Sequence, residues 1–144
     1  MNIKSNNVNK GDCMYPATVV RDLMIRGIYE VKLNDTIEDV VKVMGKNGIS
    51  SVVVSDDNNT YWGIITEMDI LKHYSENLEK LKAEDIMATK IIHISPIAPL
   101  EKAAQIMAEK KIHHLYVVSE LREDKIIGTI SAGDIIKMMH ESLE

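Results

Sequence analysis

Apolar residues recur with a helical period in two segments of the chain that lie 63 residues apart. Both segments place them at positions i, i+3, i+4 and i+7, the spacing that lines one face of an α-helix. In the first segment these residues are Ile37, Val40, Val41 and Met44, and in the second they are Leu100, Ala103, Ala104 and Met107. The pattern therefore predicts two amphipathic helices, each with one buried stripe.

The residues at the ends of these helices predict how each one starts and stops. The first helix is expected to open with Asp35 as an acidic N-cap, and the second with Pro99 at the first helical position, where proline loses no hydrogen bond. Gly48 is expected to end the first helix in a left-handed turn. Lys111 stands at the matching position of the second segment, which predicts that one of the two helix ends is closed differently.

Two nearly continuous apolar runs, residues 49–54 and 112–118, follow the predicted helices and are typical of strands buried on both faces. Each run leads through a polar hairpin into a further strand that ends in a helix. A strand also precedes each long helix, over residues 29–33 in the first half and around His93 in the second. The predicted order in each half is thus short helix, strand, helix, strand, strand, helix.

These parallels make the chain a tandem repeat of about 60 residues. One copy exposes a face of a three-stranded sheet that it cannot bury alone, whereas two copies can pack sheet to sheet around a pseudo-twofold axis. We therefore predict an α/β (α+β) fold of two β-α-β-β-α repeats. The predicted segments are a flexible N-terminal extension (1–17), the first repeat (18–74), a linker (75–81), the second repeat (82–140) and a tail (141–144).

Composition narrows the class of protein. The chain has 144 residues, of which 45% are hydrophobic and 27% charged, a balance typical of soluble globular domains. It has no apolar run long enough to span a membrane and no apolar N-terminal segment typical of a signal peptide. Its single cysteine, Cys13, cannot form an internal disulfide, which favours a cytoplasmic location. The net charge of −5, without a basic cluster, argues against nucleic-acid binding.

The last strand of each repeat ends in the same motif, at the point where a helix starts. Each motif runs from glycine through hydrophobic residues to a hydroxyl residue, Thr66 or Ser131, with an acid three positions later, Asp69 or Asp134. One interpretation is a capping box, which satisfies backbone amides of the helix start and contributes about 1 kcal/mol. The other is a ligand site, because pseudo-twofold symmetry would place both motifs in clefts between the repeats.

The doubled pattern resembles the cystathionine-beta-synthase (CBS) domain pair, also called a Bateman module, over residues 17–140. The resemblance rests on the Asp-hydrophobic-Met sequence that opens each repeat, on the helix starts at Thr36 and Pro99, and on the Gly-x-hydrophobic-(Thr/Ser)-x-x-Asp motif. It implies a regulatory module that senses an adenosine-containing ligand such as AMP, ADP, ATP or S-adenosylmethionine. It also implies a homodimer in the form of a flat four-repeat disc, with an unidentified effector protein contacted in trans.

The same resemblance assigns the parts of such a ligand to particular residues. The ribose would be held by Asp69 and Asp134, with the neighbouring hydroxyls of Thr66 and Ser131, because a carboxylate accepts hydrogen bonds from both ribose hydroxyls. The adenine would lie beside apolar residues of the strand starts. These are Tyr29 and Ile49 for the cleft with Asp134, Ile92 and Ile112 for the cleft with Asp69, and in addition Ile64 and Thr129.

The second repeat carries His113 and His114 where members of the family often have His or Arg facing phosphates, whereas the first repeat has Ser50 and Ser51. We therefore expect unequal clefts, with the second repeat contributing more to phosphate binding. Neutral histidine also leaves room for an uncharged or positively charged adenosyl ligand. Adjacent strand residues point to opposite faces, so the histidine pair does not predict a metal site.

Catalysis is not predicted, because the sequence has no nucleophile beside a base and no glycine-rich phosphate loop, and its two motif acids lie in separate repeats. No cofactor is expected to be required. Two functions remain open. The first is a regulatory sensor, in which the ligand shifts the packing of the repeats and so alters a partner protein. The second is a constitutive dimerisation or assembly module, in which the capping boxes serve only the fold.

Overall fold

The computed structural model describes residues 15–16, 18–122 and 124–143, so the predicted extension, apart from Tyr15 and Pro16, lies outside the described residues together with Cys13. The longest helices have 11 residues, and none in the described part is long and apolar enough to cross a membrane. The elements are α1 (Val20–Leu23), β1 (Ile25–Arg26), β2 (Glu30–Lys32), α2 (Ile37–Asn47), β3 (Ser51–Ser55), β4 (Tyr61–Thr66), α3 (Glu67–Leu71), α4 (Ala83–Ile86), β5 (His93–Ile94), α5 (Leu100–Lys110), β6 (His114–Val118), β7 (Ile126–Ser131) and α6 (Ala132–Ser142).

Two sheets form the centre of the molecule, one of order β2-β3-β4 and one of order β1-β7-β6-β5. In the first sheet, β2 runs parallel to β3, and β3 pairs antiparallel with β4. In the second sheet, β5 runs parallel to β6, and β6 pairs antiparallel with β7. The strands β4 and β7 are those that end in the motif. This mixture of helices and sheets confirms the predicted α/β class. Both long strand pairs contain a register shift, after Val54 in the first repeat and after Val117 in the second.

Each sheet buries one face under its own helices. The helix α2 packs Ile37, Val40 and Met44 against the first sheet, and α5 packs its matching residues against the second, as the helical spacing predicts. Val41 differs from its prediction, because it is 37% exposed at the edge of the stripe. The opposite faces of the sheets meet in a third cluster, which contains Val53, Tyr116, Val118 and Ile126.

The opening segments of the two repeats are exchanged between the sheets. Val20 and Met24, around α1, belong to the core of the second repeat, and β1 pairs antiparallel with β7. Ala83 in α4 belongs instead to the core of the first repeat, and Ala88 forms a bridge with Ile64. Each core is therefore completed by a segment that the sequence pattern assigns to the other repeat.

The exchange explains the glycine that begins each motif. A Cβ atom at Gly128 would lie 2.3 Å from the carbonyl oxygen of Ile25, and one at Gly63 would lie 2.5 Å from that of Ala88. Both distances are far shorter than a carbon–oxygen contact tolerates, so a residue without a Cβ is needed where the exchanged segment crosses the strand.

The helix ends depart from three predictions. Thr36, and not Asp35, is the N-cap of α2, since its hydroxyl accepts the Asp39 amide at 3.2 Å while Asp35 accepts the Lys32 amide at 2.8 Å in the preceding turn. Pro99 is itself the N-cap of α5, which starts one residue later. Both helices also end in the same way, with Gly48 at φ 62° and Lys111 at φ 53° in the left-handed region. The second helix therefore bears the strain of a side chain there.

The segment predicted as a linker, 75–81, takes part in the first core. The carbonyl oxygens of Leu81 and Leu78 accept hydrogen bonds from the amides of Ile37 and Glu38 at 2.8 and 3.1 Å. These are two of the amides that have no partner within a helix, so the segment closes the N-terminal end of α2.

Candidate ligand-binding cleft

The motif of the second repeat forms a complete capping box at the start of α6. The Ser131 amide donates to Asp134 Oδ2 at 2.9 Å, and the Asp134 amide donates to Ser131 Oγ at 3.1 Å. These two bonds fix the carboxylate at the end of β7, where α6 continues for 11 residues. The capping interpretation is therefore right for this motif, and it uses only one of the two carboxylate oxygens.

The motif of the first repeat is built differently. The Thr66 amide donates to Asp69 Oδ2 at 2.9 Å, but the Thr66 hydroxyl donates to the same oxygen at 3.1 Å. The hydroxyl thus donates to the carboxylate, and it accepts no hydrogen bond from the Asp69 amide. The following helix, α3, has only five residues. The two motifs match in sequence, yet they present different groups to their surroundings.

A cleft of about 1040 Å³ lies between the repeats on the side of Asp134. Volumes of several hundred to about 1,000 Å³ are typical of small-molecule sites. The cleft brings together six of the predicted site residues, which are Asp134, Ser131, Thr129 and His114 from the second repeat and Tyr29 and Ile49 from the first. The other predicted residues do not border this cleft, and they are Thr66, Asp69, Ile64, Ile92, Ile112 and His113.

The cleft also has walls that the sequence did not indicate. One wall is the turn from β1 to β2, where Gly27 adopts φ 88° and its amide donates to the Ile127 carbonyl at 2.8 Å. Another consists of α3, whose Met68 and Leu71 are 63% and 58% exposed. Apolar side chains on a short exposed helix are the one signal that could have indicated this wall. The first wall depends on the exchange of β1, which no periodicity reveals.

His114 faces the cleft in a form suited to hydrogen bonding. Its Nε2 atom lies 3.2 Å from Ser50 Oγ of the other repeat. Burial lowers the pKa of His114 below its usual 6.5, and the neighbouring His113 lowers it further, while the carboxylates of Asp134 and Glu67 act in the opposite direction. The imidazole is therefore neutral at pH 7, and its bond to Ser50 links the repeats at the cleft.

Charged groups around the cleft are few. The lining contains one positively charged residue, Arg26, and two negatively charged ones, Glu67 and Asp134, and the other lining residues are apolar or neutral. Within residues 15–16, 18–122 and 124–143, no group of three His, Cys, Asp or Glu side chains is placed to hold a metal ion. The cleft thus combines an apolar floor with one fixed carboxylate and a few hydroxyls.

Comparison with known proteins identifies relatives of both the sequence and the fold. The family model described as CBS domain matches residues 20–76 and 83–141. Homoserine O-acetyltransferase of Methanohalobium evestigatum is 30% identical over 124 residues, which are 86% of this chain and 24% of that protein. The chain therefore spans about a quarter of the length of the first curated relatives that it matches.

Solved structures share the fold over most of the chain. The CBS domain pair of protein MJ0100, in complex with 5'-methylthioadenosine and S-adenosyl-L-methionine, is 25% identical and has a TM-score of 0.77, covering 88% of this chain and 98% of that one. The protein CBSX2, in complex with AMP, is 24% identical with a TM-score of 0.74 and the same coverage of both chains. The likeness to CBSX2 is a likeness of fold alone.

Proposed function

The chain belongs to the CBS domain family, and on that premise we propose that it is a regulatory module that binds an adenosine-containing small molecule in the cleft beside Asp134. The observation that carries this proposal is the cleft itself, which joins a fixed carboxylate of one repeat to apolar residues of the other. A ligand there would touch both repeats at once. Its binding would therefore favour one packing of the repeats over another, which is what a sensor requires.

The carboxylate of Asp134 is suited to hold the sugar. Its Oδ2 atom is held by the Ser131 amide, whereas Oδ1 has no hydrogen-bond partner among the described residues. A ribose hydroxyl that donates to this oxygen would form a charge-assisted bond worth about 1.5 to 3 kcal/mol. The capping bond would remain in place, so the same side chain would serve the helix and the ligand together.

The charges around the cleft favour a ligand with little negative charge. With His114 neutral, Arg26 alone opposes the two acids, so a triphosphate would meet more repulsion than attraction. We therefore propose S-adenosylmethionine, 5'-methylthioadenosine or AMP ahead of ADP and ATP. Binding of the first two compounds by the MJ0100 domain pair, a relative at 25% identity, supports this order.

We further propose that the chain acts as a homodimer and passes the ligand signal to a separate partner protein. Exposed apolar side chains on α3 and α6 support a protein contact there, among them Met68, Leu71 and Ile136 at 63%, 58% and 61% exposure. Light scattering should give twice the mass of the chain, and Leu71→Glu should halve it. A wild-type protein that stays monomeric at the concentrations of the ligand assays would contradict the dimer.

A thermal-unfolding panel with S-adenosylmethionine, 5'-methylthioadenosine, AMP, ADP, ATP and NAD tests the ligand proposal. A compound present at 100 times its dissociation constant stabilises the folded protein by about 2.7 kcal/mol. For a domain of this size that corresponds to roughly 10 °C in the unfolding midpoint. We expect the shift to disappear in Asp134→Asn. Mass spectrometry of the recovered ligand should show it unchanged, since binding and not conversion is proposed.

Asp69→Asn is the matched control for Asp134→Asn. Asp69 has the same capping bond to the preceding hydroxyl residue, but it does not border the cleft. The ligand shift of each variant is measured from its own midpoint without ligand, so a difference between the two shifts reports binding and not the cost of losing a motif carboxylate. If no adenosyl compound moves the midpoint while the dimer persists, the chain is instead a constitutive assembly module.

A further inference from the structure

The sequence repeat matches the surroundings of Asp134 and Asp69 residue by residue, but at one position the matched side chains differ greatly in size. Val53 in β3 borders the cleft beside Asp134. Its counterpart in β6, 63 positions later, is Tyr116, which is only 4% exposed. A phenol ring therefore lies buried between the sheets where the symmetry-related position carries a small branched side chain.

The contacts of Tyr116 show which way the ring extends. Its hydroxyl donates to Ser51 Oγ at 2.6 Å, across the interface between the sheets. Ser51 is the direct cross-strand partner of Thr66, the hydroxyl residue of the first motif. The carboxylate of Asp69 is also close enough to add to the effect of burial, which raises the pKa of Tyr116. The ring thus reaches towards the motif of the first repeat.

Apolar side chains pack around the ring of Tyr116. Tyr116 belongs to the cluster between the sheets, against which Ile64 and Ile91 pack. Ile64 stands where the open cleft has Thr129, so the wall beside Asp69 is bulkier at a second position as well.

We propose that Tyr116 fills the cleft beside Asp69 and so limits the chain to one ligand, bound beside Asp134. This inference rests on the proposed function, because it assigns the number of ligand sites. Tyr116 is a specificity-determining residue in this sense, and its ring volume excludes the second ligand. The bond to Ser51 only holds the ring in place.

The test counts bound ligand per chain by isothermal titration calorimetry and native mass spectrometry, with S-adenosylmethionine and AMP as probes. Wild type should bind one molecule and Asp134→Asn none. Tyr116→Val, which copies Val53, should bind two, and the double variant with Asp134→Asn should bind one. Tyr116→Phe keeps the ring and removes the bond to Ser51, so it should still bind one. If the Tyr116→Val variant does not fold, Tyr116→Leu takes its place in the experiment.

The outcomes separate this inference from the function on which it rests. If wild type binds nothing and Tyr116→Val binds one molecule, the inference that Tyr116 fills the cleft beside Asp69 is right, and the proposed ligand site beside Asp134 is wrong. If wild type binds two molecules, or if neither smaller side chain adds a site, Tyr116 does not close the cleft. A gain that persists after Asp69→Asn is added to Tyr116→Val would also overturn the inference, because the new site must lie at that carboxylate. Tyr116 also borders the open cleft, so the number of sites, and not the affinity, is the readout.

Discussion

The glycine at the start of each motif offers the most direct test of the exchanged architecture. We consider Gly128→Ala, which adds a single methyl group. Gly128 has an ordinary negative backbone angle, so alanine causes no backbone strain of its own. The added carbon would, however, lie 2.3 Å from the carbonyl oxygen of Ile25 and 3.3 Å from the Cα atom of Arg26. These are backbone atoms of β1, so no side chain can move aside to relieve the contact.

The expected cost follows from what must move. The strand β1 has to retreat by about 1 Å, and overpacking of this kind costs about 1 to 3 kcal/mol. The retreat also loosens the Gly27 amide from the Ile127 carbonyl, a bond of 2.8 Å in the native structure. One such bond contributes about 1 kcal/mol, which brings the total to about 2 to 4 kcal/mol. In a domain of this size the unfolding midpoint should fall by roughly 8 to 16 °C.

Urea unfolding followed by circular dichroism measures the change, and Gly45→Ala provides the control. Gly45 lies inside α2, and a Cβ atom there meets nothing within 4 Å. Alanine should therefore raise stability by about 0.5 to 1 kcal/mol through its better helix propensity. The reasoning fails if Gly128→Ala is as stable as wild type. It also fails if Gly63→Ala, whose added carbon would lie 2.5 Å from the Ala88 carbonyl, causes no loss.

Two further predictions concern pH and the end of α5. The pKa of His114 is lowered in the folded protein, so the unfolded chain binds more protons below pH 6.5, and stability should fall as the pH decreases from 7.5 to 5.5. His114→Gln should weaken this dependence when the unfolding midpoint is measured across the range, and an unchanged slope would contradict the assignment. Lys111→Gly removes a side chain from a left-handed residue at φ 53° and should raise the free energy of unfolding by about 1 kcal/mol, as read from urea unfolding. A loss of stability in that variant would show that the lysine side chain compensates for its strain.

The sequence predicted the repeats and their buried faces, because burial leaves a periodic trace. Ile37, Val40 and Met44 lie where the helical spacing places them, and Gly48 ends α2 as predicted. The spacing could not decide which residue of Asp35-Thr36 caps the helix, since either side chain can accept the amide. The helical spacing also predicted that Val41 is buried in the core, although this residue lies at the edge of the stripe and borders the cleft.

The candidate site was predictable only in part. Six of the twelve predicted residues border one cleft, and four of them come from the motif strand and helix start of the second repeat or from the strand beside them. Their grouping follows from symmetry, which the repeat in the sequence reveals. The proposed difference between the two sides depends instead on the volume at one repeat-matched position, where the first repeat has Val53 and the second has Tyr116. A repeat pattern treats both as buried apolar residues, so it does not reveal this difference, and the unequal clefts expected from the sequence rested on the histidines of the second repeat instead.

The exchange of opening segments has a consequence for the order in which the protein can form as the ribosome makes it. The first core has all its strands once Thr66 has emerged, and it receives its last helix when α4 appears. The residues of α1 and β1 are made before that core, but their partner strand β7 is among the last segments synthesised. They must wait through about a hundred residues of synthesis, which at 5 to 20 residues per second takes roughly 5 to 20 s. During this interval α1 and β1 lack their partner strand, and from the appearance of α4 onwards they do so beside a complete first core.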